Sequence, residues 1–351
     1  MKIAVDAMGG DFAPQSIVEG AVLAAKKYGI KVLLVGDEDQ VSKELSKYPT
    51  SKLPIFIHHA PHVVAMHDSP SNVIRSMKET SIKVAVDLAK KGEVSSLVSA
   101  GNSGAAMALA MYIFRKLEGV DRPAIATVHP TPKGSTVLID SGGNVDCKAF
   151  HLVQFAIMGD AYAKYILGEQ EPRIGLLSNG EEEGKGNELT REVHGILSQT
   201  NLNYIGYVEG RDLNSGSVDV IVCDGFVGNV ALKISEGLWD TIHTILKWEA
   251  QDNLRAKVAY FLMGRGMRRL EKKVDYSELG GAPLVGVNGN CVICHGHSNA
   301  KAIMNAVVLA QNLAKNKLNE HVIQELRENQ DLLRLGQKNS EKTKNSIKAV
   351  Q

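Results

Sequence analysis

Aromatic residues and net charge are both scarce in this chain. Phe, Trp and Tyr make up 5% of its 351 residues, and the formal net charge is +1. Together with frequent glycine, the low aromatic content favours an aliphatic parallel sheet with many tight loops over a β-sandwich. A near-neutral chain lacks the broad basic surface that a general nucleic-acid binder needs, so no nucleic-acid partner is predicted.

Cysteines and long apolar runs are scarce as well. The chain has four cysteines, and no charged-then-apolar leader precedes the strand predicted at residues 2–5. We therefore expect a reduced, cytoplasmic protein. No apolar run approaches the roughly 18 residues that a membrane span needs, so any membrane contact is expected at the membrane surface.

Short apolar runs alternate with helical patterns, which predicts an α/β fold with a mostly parallel sheet. We expect one continuous body over residues 1–314, because no composition break or flexible linker divides it. Six predicted strands end in loops rich in Gly, Asn, Ser and Asp. The loops are DAMGGD (6–11), SAGNSG (99–104), DSGGN (140–144), SNGEEEGKGNE (178–188), CDGFVGN (223–229) and HGHSN (295–299). Each alone is equally typical of an ordinary turn. If all six open on one edge of the sheet, they would form a pocket dense in backbone N–H groups, suited to phosphate or carboxylate.

The loop after the strand predicted at residues 174–177 carries a lysine, Lys185, between Gly184 and Gly186. Flanking glycines let backbone N–H groups approach a ligand, and the lysine adds a cation at a helix N-terminus. The loop is not a nucleotide-binding P-loop, because its spacing is one residue short and Gly186 replaces the magnesium-binding hydroxyl. The preceding glutamates, residues 181–183, would repel phosphate, so we expect them to point away from it.

Other motifs give no positive support for a metal or a cofactor. Cys291-Val-Ile-Cys294-His295 has the letters of a c-type haem attachment motif, but it lies in a predicted strand. An extended strand does not readily bring Cys291, Cys294, His295 and His297 into tetrahedral zinc geometry. The segment with His62, His67 and Asp68 fits a polar loop better than a metal site. No Gly-x-Gly-x-x-Gly follows the first strand, so no dinucleotide is expected.

Residues 238–275 form a basic, amphipathic insertion that is predicted to be helical, with Gly264 and Gly266 separating two helices. Two interpretations stay open: a helix packed on the body or a dimer partner, and a hairpin that touches anionic lipid or an acidic protein. The candidate contact residues are Leu254, Arg255, Val258, Phe261, Leu262, Arg265, Arg268 and Arg269. Residues 315–351 are predicted to form a charged helix followed by a disordered tail.

Several blocks of the chain resemble the bacterial phosphate acyltransferases of phospholipid synthesis, and the resemblance extends to about Ala314. The blocks are MKIAVDAMGGDFAPQSIVEGA, SSLVSAGNSGAAMA, VLIDSGGNVDCK, GLLSNGEEEGKGNE, VDVIVCDGFVGNVALK and YSELGGAPLVGVNG. One departure is Ser103, where Thr is expected, which keeps the hydroxyl group. The resemblance implies a three-layer αβα fold related to phosphotransacetylases and to isocitrate or isopropylmalate dehydrogenases.

The resemblance also implies an activity and partners. The family forms acyl phosphate from acyl-acyl-carrier-protein and inorganic phosphate, without a cofactor. It implies a homodimer bound peripherally to the membrane through the hairpin at residues 254–270, with nearby basic residues receiving the acidic carrier protein. The product then passes to a membrane-bound glycerol-phosphate acyltransferase.

Phosphate is already an anionic nucleophile, so the predicted reaction needs no Ser-His-Asp or Cys-His arrangement. It needs groups that hold a dianion beside a carbonyl and stabilise the developing oxyanion. We predict that Lys185 neutralises phosphate or the oxyanion and that Asn229 orients the thioester carbonyl. Two roles stay open for His297: protonating the departing sulfur, or a structural hydrogen bond. The predicted phosphate-binding residues are Gly9, Gly10, Asn102, Ser103, Gly104, Asp140, Asn144, Gly184 and Gly186. Asp6, Asp140 and Asp224 are expected to cap helices or to orient Lys185 rather than to act as bases.

Two other function classes remain open on the residues alone. One is a metal- and NAD-dependent dehydrogenase of the same general fold, which would need an acidic metal-binding cluster and nucleotide contacts. The other is a non-catalytic membrane scaffold that recruits acyl carrier protein.

Overall fold

The described strands of the chain form one sheet of eleven. The computed structural model describes residues 1–252, 264, 266 and 276–329. The strands are β1 (Lys2–Asp6), β2 (Lys31–Gly36), β3 (Ile55–His59), β4 (Ser96–Ser99), β5 (Ala124–Thr131), β6 (Gly134–Ile139), β7 (Ile174–Leu177), β8 (Tyr204–Val208), β9 (Val220–Val222), β10 (Ala282–Val285) and β11 (Cys291–Ile293). Their order across the sheet is β3-β2-β1-β4-β11-β10-β5-β6-β9-β7-β8.

Most neighbouring strands are parallel, as predicted, but the sheet contains a reversal near its middle. β10 is antiparallel to both β11 and β5, and β5 is antiparallel to β6 around the turn at residues 130–134. Consequently β1 to β5 and β11 run in one direction, whereas β6 to β10 run in the other.

Helices cover both faces of this sheet and complete the predicted three-layer arrangement. They are α1 (Gln15–Tyr28), α2 (Glu38–Leu45), α3 (Pro70–Ser76), α4 (Ser81–Lys90), α5 (Ser103–Phe114), α6 (Ala149–Tyr162), α7 (Glu188–Leu197), α8 (Gly225–Asp252), α9 (Tyr276–Leu279), α10 (Ala300–Lys315) and α11 (Leu318–Glu328). A π-helical turn, Ala163–Leu167, extends α6, and a 3-10 turn, Gly210–Asn214, follows β8.

Side-chain alternation along the strands divides the core between the two faces. Ile3 and Val5 of β1 pack with residues of α1, α6 and α10 on one face, whereas Ala4 packs with residues of α4 and α5 on the other. Because both faces of the central strands are covered, their sequences are almost continuously apolar, which is what made them recognisable.

Two predicted boundaries change. Residue 238 was expected to begin an insertion, but it lies inside α8, which runs without a break from Gly225 to Asp252. Gly264 and Gly266 were expected to separate two helices, and both have helical conformation.

At the C-terminal end, a helix follows Lys315 as predicted, but Leu318, Val322 and Leu326 of α11 are buried in the main core, so this helix belongs to the body. The predicted tail beyond residue 329 lies outside the described residues.

Candidate active site

The strand directions sort the six predicted loops into two groups at opposite ends of the strands. The loops after β1, β4 and β11 form the first group, and those after β6, β7 and β9 form the second. The expectation that all six open on one edge is therefore wrong. Its cause is the antiparallel pairing of β5 with β6, which reverses the direction of the chain between the two halves of the sheet.

The first group converges tightly around Asp6. The hydroxyl of Ser99 donates to the Asp6 carboxylate at 2.7 Å, and the N–H of Asp11 donates to the carbonyl of Gly296 at 2.8 Å. Gly9 and Gly10, two predicted phosphate ligands, lie against the backbones of Gly101 and Gly296. Burial raises the pKa of Asp6, although its hydrogen bonds to Ser99 and to backbone N–H groups oppose this. Asp6 therefore organises the loop from inside the protein.

Asn102 is occupied by bonds within the protein. Its Nδ2 donates to the carbonyls of Ala65, Met66 and Asp68 at 3.3, 3.0 and 2.8 Å, and its Oδ1 accepts from the N–H of Ala105 at 3.0 Å. Asn102 thus caps α5 and fixes the residue 65–68 loop. The donors that remain available for an anion are the first-turn N–H groups of the exposed Ser103 and Gly104, which have no partner within a helix.

In the second group, Asp140 and Asn144 bond mainly to each other and to the backbone. Asp140 Oδ1 accepts from the N–H groups of Ile125 and Gly143 at 3.0 and 2.9 Å, and Oδ2 accepts from Asn144 Nδ2 at 2.8 Å. Asp140 is fully buried. Burial raises its pKa, although the hydrogen bonds that it accepts act in the opposite direction. Both side chains thus have a structural role, and their phosphate-binding role stays a prediction. Asp140 neither caps a helix nor contacts Lys185.

Asn229 is the fifth residue of α8 rather than part of a loop, and its side chain is exposed. The helix approaches the β6 loop so closely that a Cβ on Gly228 would lie 1.9 Å from the Asp140 carbonyl oxygen, so only glycine fits there. As predicted, Asp224 caps this helix, since its Oδ1 accepts from the N–H of Val227 at 2.9 Å. The side chain of Asn229 makes no hydrogen bond within the described part of the chain.

The Lys185 loop is held in shape by its own polar atoms. The N–H of Gly186 donates to Asn179 Oδ1 at 2.8 Å, and Asn187 caps α7 by accepting from the N–H of Thr190 at 2.8 Å. Gly184 and Gly186 have φ angles of 93° and 85°, which favour glycine. Because β7 and β9 are parallel neighbours, this loop and the start of α8 leave from adjacent strand ends.

Two of the three glutamates before Lys185 make different contacts. Glu181 turns away to Arg211, with an N–O distance of 2.9 Å, as expected. Glu182 does not, because its Oε2 lies 3.9 Å from Lys185 Nζ. Both members of this pair are solvent-exposed, so the contact is weak.

A cluster that the sequence did not predict lies beside the candidate acid, His297. Glu236 of α8 contacts Nε2 of His295 at 3.1 Å and the ammonium of Lys233 at 2.7 Å, and the rings of His295 and His297 are 5.3 Å apart. Burial raises the pKa of Glu236, but its bonds to His295 and Lys233 outweigh this and hold that pKa at about 2. No sequence pattern could have paired Glu236 with His295, because the contact joins a long helix to a distant loop.

A buried polar chain lies near this cluster on β5 and β6. His129 Nε2 is 3.2 Å from the Thr127 hydroxyl, which is 2.7 Å from the Ser141 hydroxyl. Burial lowers the pKa of His129 to about 4, although the charge of Glu236 opposes the shift. His129 is therefore neutral near pH 7.

The remaining predicted groups divide between described and undescribed parts of the chain. Cys291 and Cys294 are buried in the core, and burial raises the pKa of both thiols. Among residues 1–252 and 276–329, no three His, Cys, Asp or Glu side chains are placed to hold a metal ion. The candidate membrane or carrier contacts lie outside the described residues: Leu254, Arg255, Val258, Phe261, Leu262, Arg265, Arg268 and Arg269. No helix in the described ranges is both long enough and apolar enough to cross a membrane.

Comparison with known proteins gives consistent matches over nearly the whole chain. The model of a family described as "Fatty acid synthesis protein" matches residues 1–321. A phosphate acyltransferase of Trichlorobacter lovleyi is 56% identical over 329 residues, covering 94% of this chain and 95% of that protein. One from Geobacter sulfurreducens is 53% identical over 326 residues, covering 93% and 94%.

Solved structures show the same fold. A phosphotransacetylase from Streptococcus pyogenes superposes with a TM-score of 0.61 at 16% identity, covering 89% of this chain and 94% of that one. A branched-chain phosphotransacylase from Enterococcus faecalis gives a TM-score of 0.54 at 13% identity, covering 90% and 99%. The predicted three-layer fold, with its relation to phosphotransacetylases, is confirmed.

Proposed function

Because the chain belongs to the phosphate acyltransferases, the family described as fatty acid synthesis proteins, we propose that it forms acyl phosphate from acyl-acyl-carrier-protein and inorganic phosphate. The chain is an acyltransferase of fatty acid and phospholipid synthesis; the acyl donor and the acceptor are the proposal. The observation that carries it is the presentation of Lys185 and Asn229 from neighbouring strand ends, on a loop and a helix that internal bonds hold in place.

In this proposal the second loop group carries the chemistry. The Lys185 ammonium draws phosphate to the N-terminus of α7 and offsets the charge that develops on the carbonyl oxygen. The Asn229 amide, which has no other bond among the described residues, orients the thioester carbonyl. Phosphate oxygen forms the new bond to the carbonyl carbon, and the thiolate leaves with the electron pair of the broken C–S bond.

In this proposal His297 does not protonate the departing sulfur. The sulfur and the carbonyl carbon of a thioester are bonded to each other, so one site must serve both. Asn229 and Glu236 are separated by about 10 Å of helix axis, and His297 stacks on the histidine that Glu236 contacts. The first-turn N–H groups of Ser103 and Gly104, like Gly9 and Gly10, belong to the first loop group, at the end of the sheet where Glu236 meets His295. We propose that this first group binds a more distant part of the substrate.

The activity is tested with the purified protein, acyl-acyl-carrier-protein and inorganic phosphate, without added metal or nucleotide. Acyl phosphate should form, and Lys185→Ala should lower turnover by on the order of a hundredfold or more if Lys185 meets developing charge. Lys52→Ala is the matched control. Lys52 is exposed and precedes β3, the outermost strand on the opposite side of the sheet from β8. Near-normal turnover of Lys185→Ala contradicts the assignment, and no acyl phosphate from the wild type contradicts the function. Hydride transfer in a separate assay with added metal and nucleotide would support the dehydrogenase alternative.

We also propose that the protein is a homodimer, supported by an exposed apolar stripe on α8. Its members recur every three or four residues, and each is 41–64% exposed. They are Val227, Val230, Ile234, Leu238, Ile242 and Ile245. A stripe of this length on one helix face is typical of a surface that a second helix covers.

The membrane and carrier roles of residues 254–270 remain proposals from composition and family. Basic side chains there would attract anionic lipid and the acidic carrier protein, and the product would pass to a glycerol-phosphate acyltransferase in the membrane. Replacing both Phe261 and Leu262 with Glu should release the folded protein from anionic lipid vesicles in a co-sedimentation assay. Unchanged vesicle binding would refute the membrane role.

A further inference from the structure

A cationic cleft lies at the start of β5, in the segment that joins α5 to this strand. Its volume is about 580 Å³, within the usual range for a small-molecule site. Met111, Leu117 and Val120 give it apolar walls, and Arg115, Lys116 and Arg122 give it positive charge. The cleft is open to solvent, because the three cationic residues are all exposed.

The carboxylate in the cleft, Asp121, is already engaged. It lies 2.8 Å from His151 Nε2 and 3.3 Å from Lys116 Nζ. The N–H of Lys148 donates to His151 Nδ1 at 3.0 Å, so a neutral His151 carries its proton on Nε2 and donates it to Asp121. Burial lowers the pKa of His151, and the positive charge of Arg122 adds to this shift, although Asp121 opposes it. Lys116 and His151 thus satisfy Asp121 without either arginine.

The two arginines are left without a carboxylate partner in the part of the chain that the structure describes. Arg122 forms no ion pair there, and the Arg115 guanidinium lies over the Tyr112 ring, 5.3 Å from its centroid. Arg115 also has a φ angle of 67°, which is unfavourable for a residue with a side chain. Arg115 thus combines a strained backbone conformation with a guanidinium at the cleft, a combination found at ligand-binding positions.

The cleft adjoins the second loop group. Asn144 lines it, and the carbonyl of Asn144 accepts from the N–H of Gly225 at 2.7 Å, four residues before Asn229. A ligand in the cleft would therefore lie beside the start of α8, at the edge of the sheet that carries Lys185.

We propose that this cleft binds a phosphate group carried on an apolar chain, which is the chemistry of an acyl phosphate. Guanidinium groups match phosphate oxygens in paired hydrogen bonds, and Met111, Leu117 and Val120 receive the first carbons of the chain. This inference rests on the proposed function for its biological ligand: the cleft holds the product after it leaves Lys185 and Asn229. The recognition chemistry itself is testable without turnover.

The test is titration calorimetry on the full chain with hexyl phosphate, inorganic phosphate and hexanol as probes. Hexyl phosphate should bind more tightly than inorganic phosphate, and hexanol should not bind measurably. Arg122→Gln should weaken hexyl phosphate binding about ten- to a hundredfold, as expected for a lost charge-assisted hydrogen bond. Arg75→Gln, at an exposed arginine on α3, should leave the affinity unchanged. If the wild type and Arg122→Gln bind hexyl phosphate equally well, the proposed site is overturned. If the wild type binds hexyl phosphate and inorganic phosphate equally well, the proposed role of the apolar walls is overturned.

Arg115→Gly separates binding from folding. Relief of the unfavourable φ angle should keep or raise the unfolding temperature, while the loss of the guanidinium weakens hexyl phosphate binding as in Arg122→Gln. Unweakened binding in Arg115→Gly contradicts the role of this residue.

The two proposals can fail separately. Formation of acyl phosphate together with unchanged hexyl phosphate binding in both variants overturns the cleft and leaves the activity standing. Weakened binding in the variants without any acyl phosphate formation by the wild type overturns the activity and leaves an alkyl phosphate site.

Discussion

At the scale of single residues, the ammonium group of Lys185 already has a carboxylate neighbour. Glu182 Oε2 lies 3.9 Å from it, and the two side chains are 73% and 47% exposed respectively. An anionic substrate must therefore compete with a weak intramolecular partner. Lys185 is held ready for an anion, since exchange of one exposed partner for another costs little.

Glu182→Gln should consequently lower the KM for phosphate by roughly two- to fivefold, the size of an exposed ion pair, with little change in kcat. The measurement is initial rate against phosphate concentration at fixed acyl donor. Glu183→Gln removes the same charge one residue away, at a side chain with no contact among the described residues, and serves as the control. An equal effect of the two changes would indicate general electrostatics rather than competition for Lys185.

At the scale of elements, α8 links the two loop groups and leaves one face uncovered. It begins beside Asp140 at one end of the sheet, and its Glu236 meets His295 at the other end. The apolar stripe on its outer face has the spacing of a helix packed against a partner. This explains why a helix with so few contacts to its own sheet remains strongly apolar.

Ile234→Glu combined with Leu238→Glu should convert a dimer to a monomer, because each buried charge in an apolar interface costs several kcal/mol. We expect the dissociation constant to rise by a hundredfold or more, as measured by light scattering after gel filtration. Thr244→Glu adds a charge roughly 100° around the helix from the stripe and should leave the dimer intact. A monomeric wild-type protein would contradict the homodimer itself.

At the scale of the whole molecule, local patterns predicted the elements but not their mutual directions. The apolar run predicted at residues 174–177 coincides with β7 to the residue, since a strand covered on both faces is almost continuously apolar. The antiparallel pairing of β5 with β6 reverses the chain between the two halves of the sheet. No local pattern showed that this one reversal sends the DSGGN and HGHSN loops to opposite ends of the sheet. The pairing of Asp140 with Asn144, and of Glu236 with His295, likewise depends on contacts that only the fold creates.

One buried carboxyl group of the C-terminal helix makes the free energy of unfolding depend on pH. Glu325 of α11 is buried, and its Oε2 has no hydrogen-bond partner. Lys164 reaches its other oxygen only at 3.7 Å while also pairing with the buried Asp160. Burial, and then the charge of Asp160, raise the pKa of Glu325 to about 8.

A raised folded-state pKa means that the folded protein binds the proton more tightly than the unfolded chain. The contribution of Glu325 to stability is therefore complete below the unfolded pKa of about 4.3 and is lost as the pH rises towards 8. Glu325→Gln should remove this loss, so that it stabilises the protein at pH 8.5 by about 1–3 kcal/mol relative to wild type, the cost of an unsatisfied buried group, and much less at pH 5. Urea unfolding at both pH values measures the difference. Glu320→Gln, on the exposed side of the same helix, should show no such pH dependence, and a Glu325→Gln effect equal at both pH values would contradict the buried titration.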